Sequence, residues 1–147
     1  MVVQALTGKD LAERLEQALA DSVEEWSDSA VWVKPNRIAE VAQFLRDDPS
    51  LDFQLLNSIT AVDFVEYFEV IYHLTSLSQQ HTAIVKAKVY GRESPSLPSV
   101  YHVWRGADFQ EREIWDLMGV RFEGHPNMKR IMLWEGFEGH PLRRDYL

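Results

Sequence analysis

Apolar residues recur at helical spacing in two segments of the first fifty residues, and this pattern predicts two amphipathic helices. The first runs over about 8–20, where Thr7 followed by Asp10 is typical of a capping box at a helix start. The second runs over about 36–47 and ends at an Asp-Asp-Pro run. Each helix has one apolar stripe, formed by Leu11, Leu15, Ala18 and Leu19 in the first and by Ile38, Val41, Ala42 and Leu45 in the second.

Strand-type patterns separate and follow these helices. Apolar and polar residues alternate over 66–74 and over 81–90, which is typical of strands with one buried and one exposed face. Shorter runs of bulky residues predict strands at 23–26, 30–33 and 53–60. A strand, a helix and a strand in succession form a crossover, which buries a helix face against a sheet. We therefore predict a two-layer α+β domain with a mixed, largely antiparallel sheet and helices mainly on one face.

A helical pattern returns after a connector at 91–98 that is rich in Pro and Ser. Residues 99–104 predict a short helix, and a third long helix follows it. Asp108 and Glu111 form a second capping-box signature at its start, and Gly119 supplies a left-handed stop. The buried face of this helix is predicted to consist of Ile114, Leu117 and Met118.

Beyond the third helix the period disappears, although bulky apolar residues continue to the end of the chain. A long segment that is rich in aromatic side chains and has no regular pattern is typical of an interface, because large exposed apolar patches bind other proteins. We predict a scaffold domain over 1–119, followed by an extended partner-binding tail over 120–147 that is not an independent domain.

Composition and charge narrow the functional classes. The 147 residues contain no cysteine, which excludes disulfides, iron–sulfur ligation and thiolate zinc sites. A net charge of -8 argues against nucleic-acid binding. The charge is uneven, because 1–119 carries 10 Lys and Arg against 19 Asp and Glu, whereas 120–147 carries 5 against 4. No apolar run approaches the ~20 residues that span a bilayer, so we expect no direct membrane insertion.

Three carboxylates on the third helix are candidates for acid–base chemistry, in which two carboxylates flank a substrate. On a helix, however, Glu111 and Glu113 point about 200° apart, so they do not flank one bond. Arg112 and Asp116 are four residues apart, which predicts an ion pair on the helix surface. A structural role is therefore favoured over catalysis. The sequence also contains no P-loop, dinucleotide fingerprint or nucleophile elbow.

A Phe-Glu-Gly-His-Pro sequence occurs twice in the tail, at 122–126 and 137–141. Its histidines suggest a His/carboxylate metalloenzyme built from His125, His140 and Glu138. Glycine before and proline after a histidine are also typical of turns. A zinc site usually has three or four ligands at short local spacings, which are missing here. The Arg-Arg-Asp run that follows suits a partner carboxylate better than a phosphate.

Several short motifs follow one another in order from the third helix to the end of the chain. They are Glu111-Arg112-Glu113, Asp116 and Gly119, then His125-Pro126 and Lys129-Arg130, and finally His140-Pro141 and Arg143-Arg144-Asp145. This ordered series resembles the 30 kDa subunit family of respiratory complex I, which has members in bacteria, cyanobacteria and chloroplasts. Looser matches, including the run from Ile59 to Asp63, extend the resemblance over about 50–147.

The resemblance implies a cofactor-free accessory subunit in the hydrophilic arm of a membrane-bound NADH:quinone oxidoreductase, with no catalytic residues of its own. It implies a hetero-oligomer that supports electron transfer to quinone, in which the chain clamps the 49 kDa-like subunit and neighbours the iron–sulfur subunits. NADH, flavin, iron–sulfur clusters and quinone are then expected on partner subunits. The motif residues are expected to order the third helix against the tail or to contact the partner.

The implied location is peripheral, on the cytoplasmic side of the membrane, or on the matrix or stromal side in an organelle. An equivalent subunit of a related membrane-bound hydrogenase or of a dehydrogenase complex with another donor is the nearest alternative. The metalloenzyme and a protein-binding module outside any redox complex are the others.

Overall fold

The computed structural model describes residues 3–134 and 136–146, and three helices and eight strands lie in this part of the chain. The helices are α1 (Gly8–Ala18), α2 (Ile38–Asp47) and α3 (Ala107–Met118), and a 3-10 turn at Pro35–Arg37 precedes α2. The strands are β1 (Gln4–Ala5), β2 (Val23–Trp26), β3 (Val31–Val33), β4 (Leu55–Asp63), β5 (Phe68–Ser76), β6 (His81–Val89), β7 (Ser96–Pro98) and β8 (Arg121–Glu123).

Six strands form one mixed sheet with the main order β2-β3-β6-β5-β4. β1 and β3 pair in parallel with β6, whereas the β2–β3, β4–β5 and β5–β6 pairs are antiparallel. β3 and β4 therefore run in the same direction, as the predicted crossover through α2 requires, but β6 and β5 lie between them. The predicted fold class, an α+β domain with a mixed and largely antiparallel sheet, is confirmed.

Alternation along the long strands gives the sheet a buried face. On this face Tyr72 lies opposite Ile59 in β4 and opposite Val85 in β6. The apolar stripes of α1, α2 and α3 belong to the same core as these residues, so the helices cover one side of the sheet as predicted. On the other face, pairs such as Ile71 and Lys86 remain half-buried.

Local signals place most elements correctly. The Thr7 Oγ1 atom accepts a hydrogen bond from the Asp10 N–H at 3.1 Å, which confirms the predicted start of α1. The other predicted capping box is wrong, because α3 begins after Gly106 without a side-chain cap and the Glu111 side chain points into the core.

Two predictions for the segment between the sheet and α3 are also wrong. Residues 99–104 form turns instead of a short helix, since the N–H groups of Val103 and Trp104 both donate to the Val100 carbonyl and no further helical turn follows. The predicted connector contains β7, which pairs in parallel with β8 just after α3. A three-residue strand that ends in proline has no recognisable period, and its partner comes from a distant part of the chain.

Beyond β8, the described residues 124–134 and 136–146 contain no helix or strand, which agrees with the predicted extended tail.

Candidate partner-binding surface

Gly119 ends α3 in the left-handed conformation with a φ of +75°, and its N–H donates to the Trp115 carbonyl at 2.9 Å. A Cβ atom at this position would lie 2.7 Å from Arg143 Nη2 and 2.7 Å from His140 Cδ2. Glycine is therefore required by the backbone geometry and by the close approach of the tail. The predicted left-handed stop is confirmed, and the structure shows that the tail packs back against it.

Asp116 organises the first half of the tail. Its side chain is fully buried, and its Oδ2 atom accepts the backbone N–H groups of Ile131, Met132 and Leu133 at 3.2, 2.7 and 2.9 Å. Arg130 Nη1 donates to Oδ1 at 3.1 Å. Burial acts to raise the pKa of Asp116, but the N–H groups and the guanidinium outweigh it, and the pKa lies below its usual value.

The predicted ion pair between Arg112 and Asp116 does not form, so this prediction is wrong. Asp116 lies on the buried side of α3, where backbone N–H groups and Arg130 surround its carboxylate. Arg112 instead donates to the backbone carbonyls of Lys129 and Arg130 at 3.1 and 3.3 Å. Both helix residues therefore bind the tail. Asp116 accepts hydrogen bonds from N–H groups of the tail, and Arg112 donates hydrogen bonds to its carbonyl groups.

Glu111 holds a different segment. This buried carboxylate accepts the Ser99 hydroxyl at 2.5 Å and the Val100 N–H at 2.9 Å, and so fixes the turn that precedes α3. Removal from water raises the pKa of Glu111 to about 7, because the two hydrogen bonds only partly offset the cost of burying the charge. Glu113, in contrast, is exposed on the opposite side of the helix.

Arg143 fastens the second half of the tail to the end of α3. Its Nε and Nη1 atoms donate to the carbonyls of Met118 and Arg92 at 2.6 and 2.9 Å, and Nη2 donates to the Gly119 carbonyl at 3.4 Å. The guanidinium is thus engaged within the chain. The neighbouring Arg144 is exposed, and its side chain makes no hydrogen bond to any residue that the structure describes.

A second fastening joins the tail to the end of β4. Asp63 is buried, accepts two hydrogen bonds from Arg92 at 2.5 and 2.9 Å, and accepts the Arg144 N–H at 2.8 Å. Arg92 also pairs with Asp145 at 2.8 Å. The hydrogen bonds from Arg92 hold the pKa of Asp63 far below its usual range. Sequence reasoning gave Arg92 no role and noted Asp63 only as a loose family match. Asp63 lies at the end of β4, which the predicted strand at 53–60 missed because it stopped three residues too early.

The two tail histidines lie in different parts of the structure. Each precedes a proline, Pro126 or Pro141, in a segment without helix or strand. His125 Nε2 lies 3.0 Å from Asp108 Oδ1. The His140 ring places Nδ1 at 2.9 Å from the carbonyl oxygen of Asp116, and burial lowers the pKa of this ring. Among residues 3–134 and 136–146, no group of three His, Asp or Glu side chains is arranged to hold a metal ion.

Large apolar side chains of the tail face solvent. Trp134 is 69% exposed and its ring lies beside that of Phe137, which in turn stacks on Tyr146, with centroid distances of 6.3 and 6.4 Å. We call these three residues the aromatic face. Met132 and Leu142, both about 60% exposed, add further apolar surface to the same segment. Exposed apolar groups clustered in this way are typical of protein-binding surfaces.

Within the described part of the chain, no helix has the length and apolar character needed to cross a bilayer.

Comparison with known proteins assigns this chain to a family. The family described as respiratory-chain NADH dehydrogenase, 30 Kd subunit, matches residues 31–147. The C subunit of the NADH-quinone oxidoreductase of Roseiflexus sp. strain RS-1 is 43% identical, over 96% of this chain and 84% of the relative. The C subunit 2 of the NADH-quinone oxidoreductase of Rhizobium meliloti strain 1021 is 44% identical, over 78% of this chain and 63% of the relative.

A solved structure shares the fold. A chain of the membrane-bound sulfane sulfur reductase, an archaeal respiratory membrane complex, superposes with a TM-score of 0.76 at 23% identity, over 95% of this chain and 85% of the other. The likeness at this identity concerns the fold alone. The sequence matches cover most of the chain, including the ordered motifs of α3 and the tail, and confirm the resemblance. The chain belongs to the 30 kDa subunit family of the respiratory-chain NADH dehydrogenase, a membrane-bound oxidoreductase complex.

Proposed function

We propose that this chain is a cofactor-free accessory subunit in the hydrophilic arm of an NADH:quinone oxidoreductase, and that its tail binds the 49 kDa-like subunit. The observation that carries the proposal is the aromatic face, whose Trp134 and Tyr146 are exposed on a segment that is hydrogen-bonded to its own domain. NADH, flavin, iron–sulfur clusters and quinone are bound by partner subunits. This chain supports electron transfer by keeping those subunits in position.

The internal contacts of the tail favour tight binding. The N–H groups bound to Asp116 hold the stretch before Trp134, and Arg143 holds the stretch before Tyr146. A segment that is ordered before it meets a partner loses less conformational entropy on binding. Aromatic anchors commonly supply most of the binding energy of an interface. The fastened tail therefore presents the aromatic face in a conformation that is ready to bind.

Charged side chains help to orient the partner on this surface. Lys129 and Arg144 are exposed cations on the tail, whereas the scaffold that carries it is strongly acidic. A carboxylate of the 49 kDa-like subunit that meets Arg144 forms charge-assisted hydrogen bonds, and the acidic scaffold steers the partner toward the tail. In this proposal Arg143, Asp116 and Asp145 position the tail from within the chain, and Arg144 contacts the partner.

Two single substitutions test the proposal. Trp134→Ala removes an aromatic anchor, and Arg144→Glu reverses the exposed charge; neither side chain is part of the internal fastening. We expect each variant to remain folded and to recover at least tenfold less 49 kDa-like subunit when the chain is purified by affinity tag. The matched control is Leu77→Ala, which removes an equally exposed apolar residue in the turn between β5 and β6. Full recovery with both variants would contradict a binding role for the tail.

The composition of the purified assembly tests the type of complex. We propose a peripheral location on the cytoplasmic side of the membrane, or on the matrix or stromal side in an organelle. A flavin-containing module that oxidises NADH should co-purify with the chain and the neighbouring iron–sulfur subunits. An assembly with a hydrogenase module or with another electron-input module would instead support the alternative complexes.

A further inference from the structure

An open groove lies between α1 and β2, at the opposite edge of the sheet from β4. It has a volume of about 520 Å³, and Ala12, Val23 and Trp26 form its apolar floor. Trp26 lies opposite the buried Val31 in β3, so it belongs to the side of the sheet that the helices cover. It is nevertheless 51% exposed. A large aromatic side chain on the core side of a sheet edge is thus left half covered.

Four glutamates line this groove, and two of them are already used within the chain. Glu16 accepts two backbone N–H groups, each at 3.0 Å, and Glu25 pairs with Lys88. Glu13 on α1 and Glu24 on β2 are exposed, and within the described residues they form no ion pair. The groove therefore has an apolar floor with a free negative charge on each wall.

The form of β2 limits how another molecule can bind here. The strand has four residues, pairs on one side with β3, and carries a bulge between Val23 and Glu25. Short, bulged and charged edge strands resist pairing with a further strand. An occupant of the groove is therefore held through its side chains rather than by extension of the sheet.

We infer that this groove docks a basic segment of a neighbouring subunit of the complex, with a Lys or Arg side chain over Trp26. Charge complementarity identifies the occupant, since Glu13 and Glu24 line the same groove as the indole ring, and carboxylates and an indole ring both attract a cation. The apolar floor matches the aliphatic part of a Lys or Arg side chain. The inference rests on the proposed place of the chain in a complex, but it concerns the sheet edge remote from the tail.

Photo-crosslinking in the assembled complex tests the inference. Trp26 is replaced by photoreactive benzoylphenylalanine, a residue of similar size, in a tagged form of the chain. The tagged chain is expressed in the organism that normally produces it, so that it assembles with its natural partners. The complex is purified and irradiated, and the adduct is mapped by mass spectrometry. We expect an adduct with a different subunit, at a segment that contains Lys or Arg. The same replacement at Leu77, which is 68% exposed, gives at least tenfold less adduct.

A charge reversal supplies the matched comparison. Glu13→Lys combined with Glu24→Lys should lower the yield of the position-26 adduct at least tenfold. Glu40→Lys combined with Asp47→Lys makes the same change of charge on the exposed surface of α2 and should leave the yield within twofold.

Three outcomes would overturn the inference. They are a complex without an adduct at position 26, an adduct with a segment that lacks basic residues, and equal yields from the two charge reversals. A chain that is purified without any partner would overturn the inference together with the proposed function. The first three outcomes leave the proposed function of the tail intact.

Discussion

The two outer edges of the sheet are completed in different ways. At the β4 edge, α3 packs beside the strand, and Gln110 Oε1 accepts the N–H of Ile59 at 2.5 Å. The tail then packs against α3 and is fixed there by buried polar groups. At the β2 edge the strand is short and bulged, and Trp26 is left half exposed. One edge is thus closed by the chain itself, and the other leaves a surface for a different molecule.

The difference lies in where the charged groups are placed. Asp63, Glu111 and Asp116 near the β4 edge are at most 4% exposed and hold other parts of the chain. Glu13 and Glu24 at the β2 edge are exposed. Loss of one partner of a buried charge strongly destabilises a fold, whereas exposed charges contribute little to stability. Substitutions should therefore have effects on stability that decrease from the tail side of the molecule to the β2 side.

The largest effect is expected for Asp116→Ala. The substitution leaves three backbone N–H groups and Arg130 without their common acceptor. We expect the free energy of unfolding to fall by about 4 kcal/mol, since several hydrogen bonds to one buried charge are lost together. Urea unfolding followed by circular dichroism measures this change. Glu113→Ala, an exposed position on the same helix, is the control and should change stability by less than about 0.5 kcal/mol.

If Asp116→Ala and Glu113→Ala were equally stable, the tail would not be fastened through α3. The contrast between the two edges of the sheet would then fail at its strongest point.

Glu111 is expected to change the free energy of unfolding by about 3 kcal/mol in a pH-dependent way. Its pKa is about 7 in the folded protein, against the ordinary value of 4.5, so folding favours the protonated form. This contribution to stability is complete below about pH 4.5 and is lost as the pH rises through about 7. Glu111→Gln keeps an oxygen that accepts hydrogen bonds and removes the charge. The variant should therefore be more stable than the original protein at pH 8 and similar to it at pH 4.

The difference between the two proteins isolates Glu111 from other titrating groups. The pKa of His140 is lowered in the folded state by burial, so its contribution to stability increases with pH in the same region and partly masks the effect. Unfolding free energies of both proteins from pH 4 to pH 8 provide the measurement. If the unfolding free energies of the two proteins changed in parallel with pH, burial of the Glu111 carboxylate would not destabilise the fold.

A smaller effect is expected for Gly119→Ala, and Gly124→Ala provides a matched control. Both glycines have positive φ angles, +75° and +86°, so a Cβ atom strains each backbone by about 1 kcal/mol. Only Gly119 also has tail atoms within 2.7 Å of the added carbon. We expect the loss of stability at Gly119, measured by thermal unfolding, to be at least twice the loss at Gly124. Equal losses would mean that the tail does not press against the end of α3.

Local sequence signals were sufficient for most of the fold. Helical spacing, the Thr7 cap and strict alternation are properties of neighbouring residues, and they predicted α1, α2 and strands β2 to β6 with small errors at the ends. The left-handed end of α3 at Gly119 was predicted for the same reason. These features depend on the backbone conformation of a few consecutive residues and not on the rest of the chain.

The internal contacts of the tail could not be predicted in this way. The hydrogen bond from Arg144 to Asp63 joins residues 81 positions apart, and β7 meets β8 only because α3 brings the chain back. The i,i+4 rule selected Arg112 as the partner of Asp116, because helix spacing identifies neighbours on a surface but does not show which side of α3 is buried. Burial decided the pairing, and burial depends on tertiary structure.

The smallest effect is expected at the β2 side, for Thr7→Ala. The substitution removes the oxygen that accepts the Asp10 N–H at the start of α1, the helix that forms one wall of the groove. The loss of one N-cap should lower the free energy of unfolding by about 1 kcal/mol, and Thr7→Ser should restore most of it. Because no buried charge is involved, the loss should be the same at pH 4 and pH 8, unlike the effect of Glu111→Gln. A loss as large as that of Asp116→Ala would show that the β2 side depends on its local contacts as strongly as the tail side, and the two edges of the sheet would then not differ in how they are stabilised.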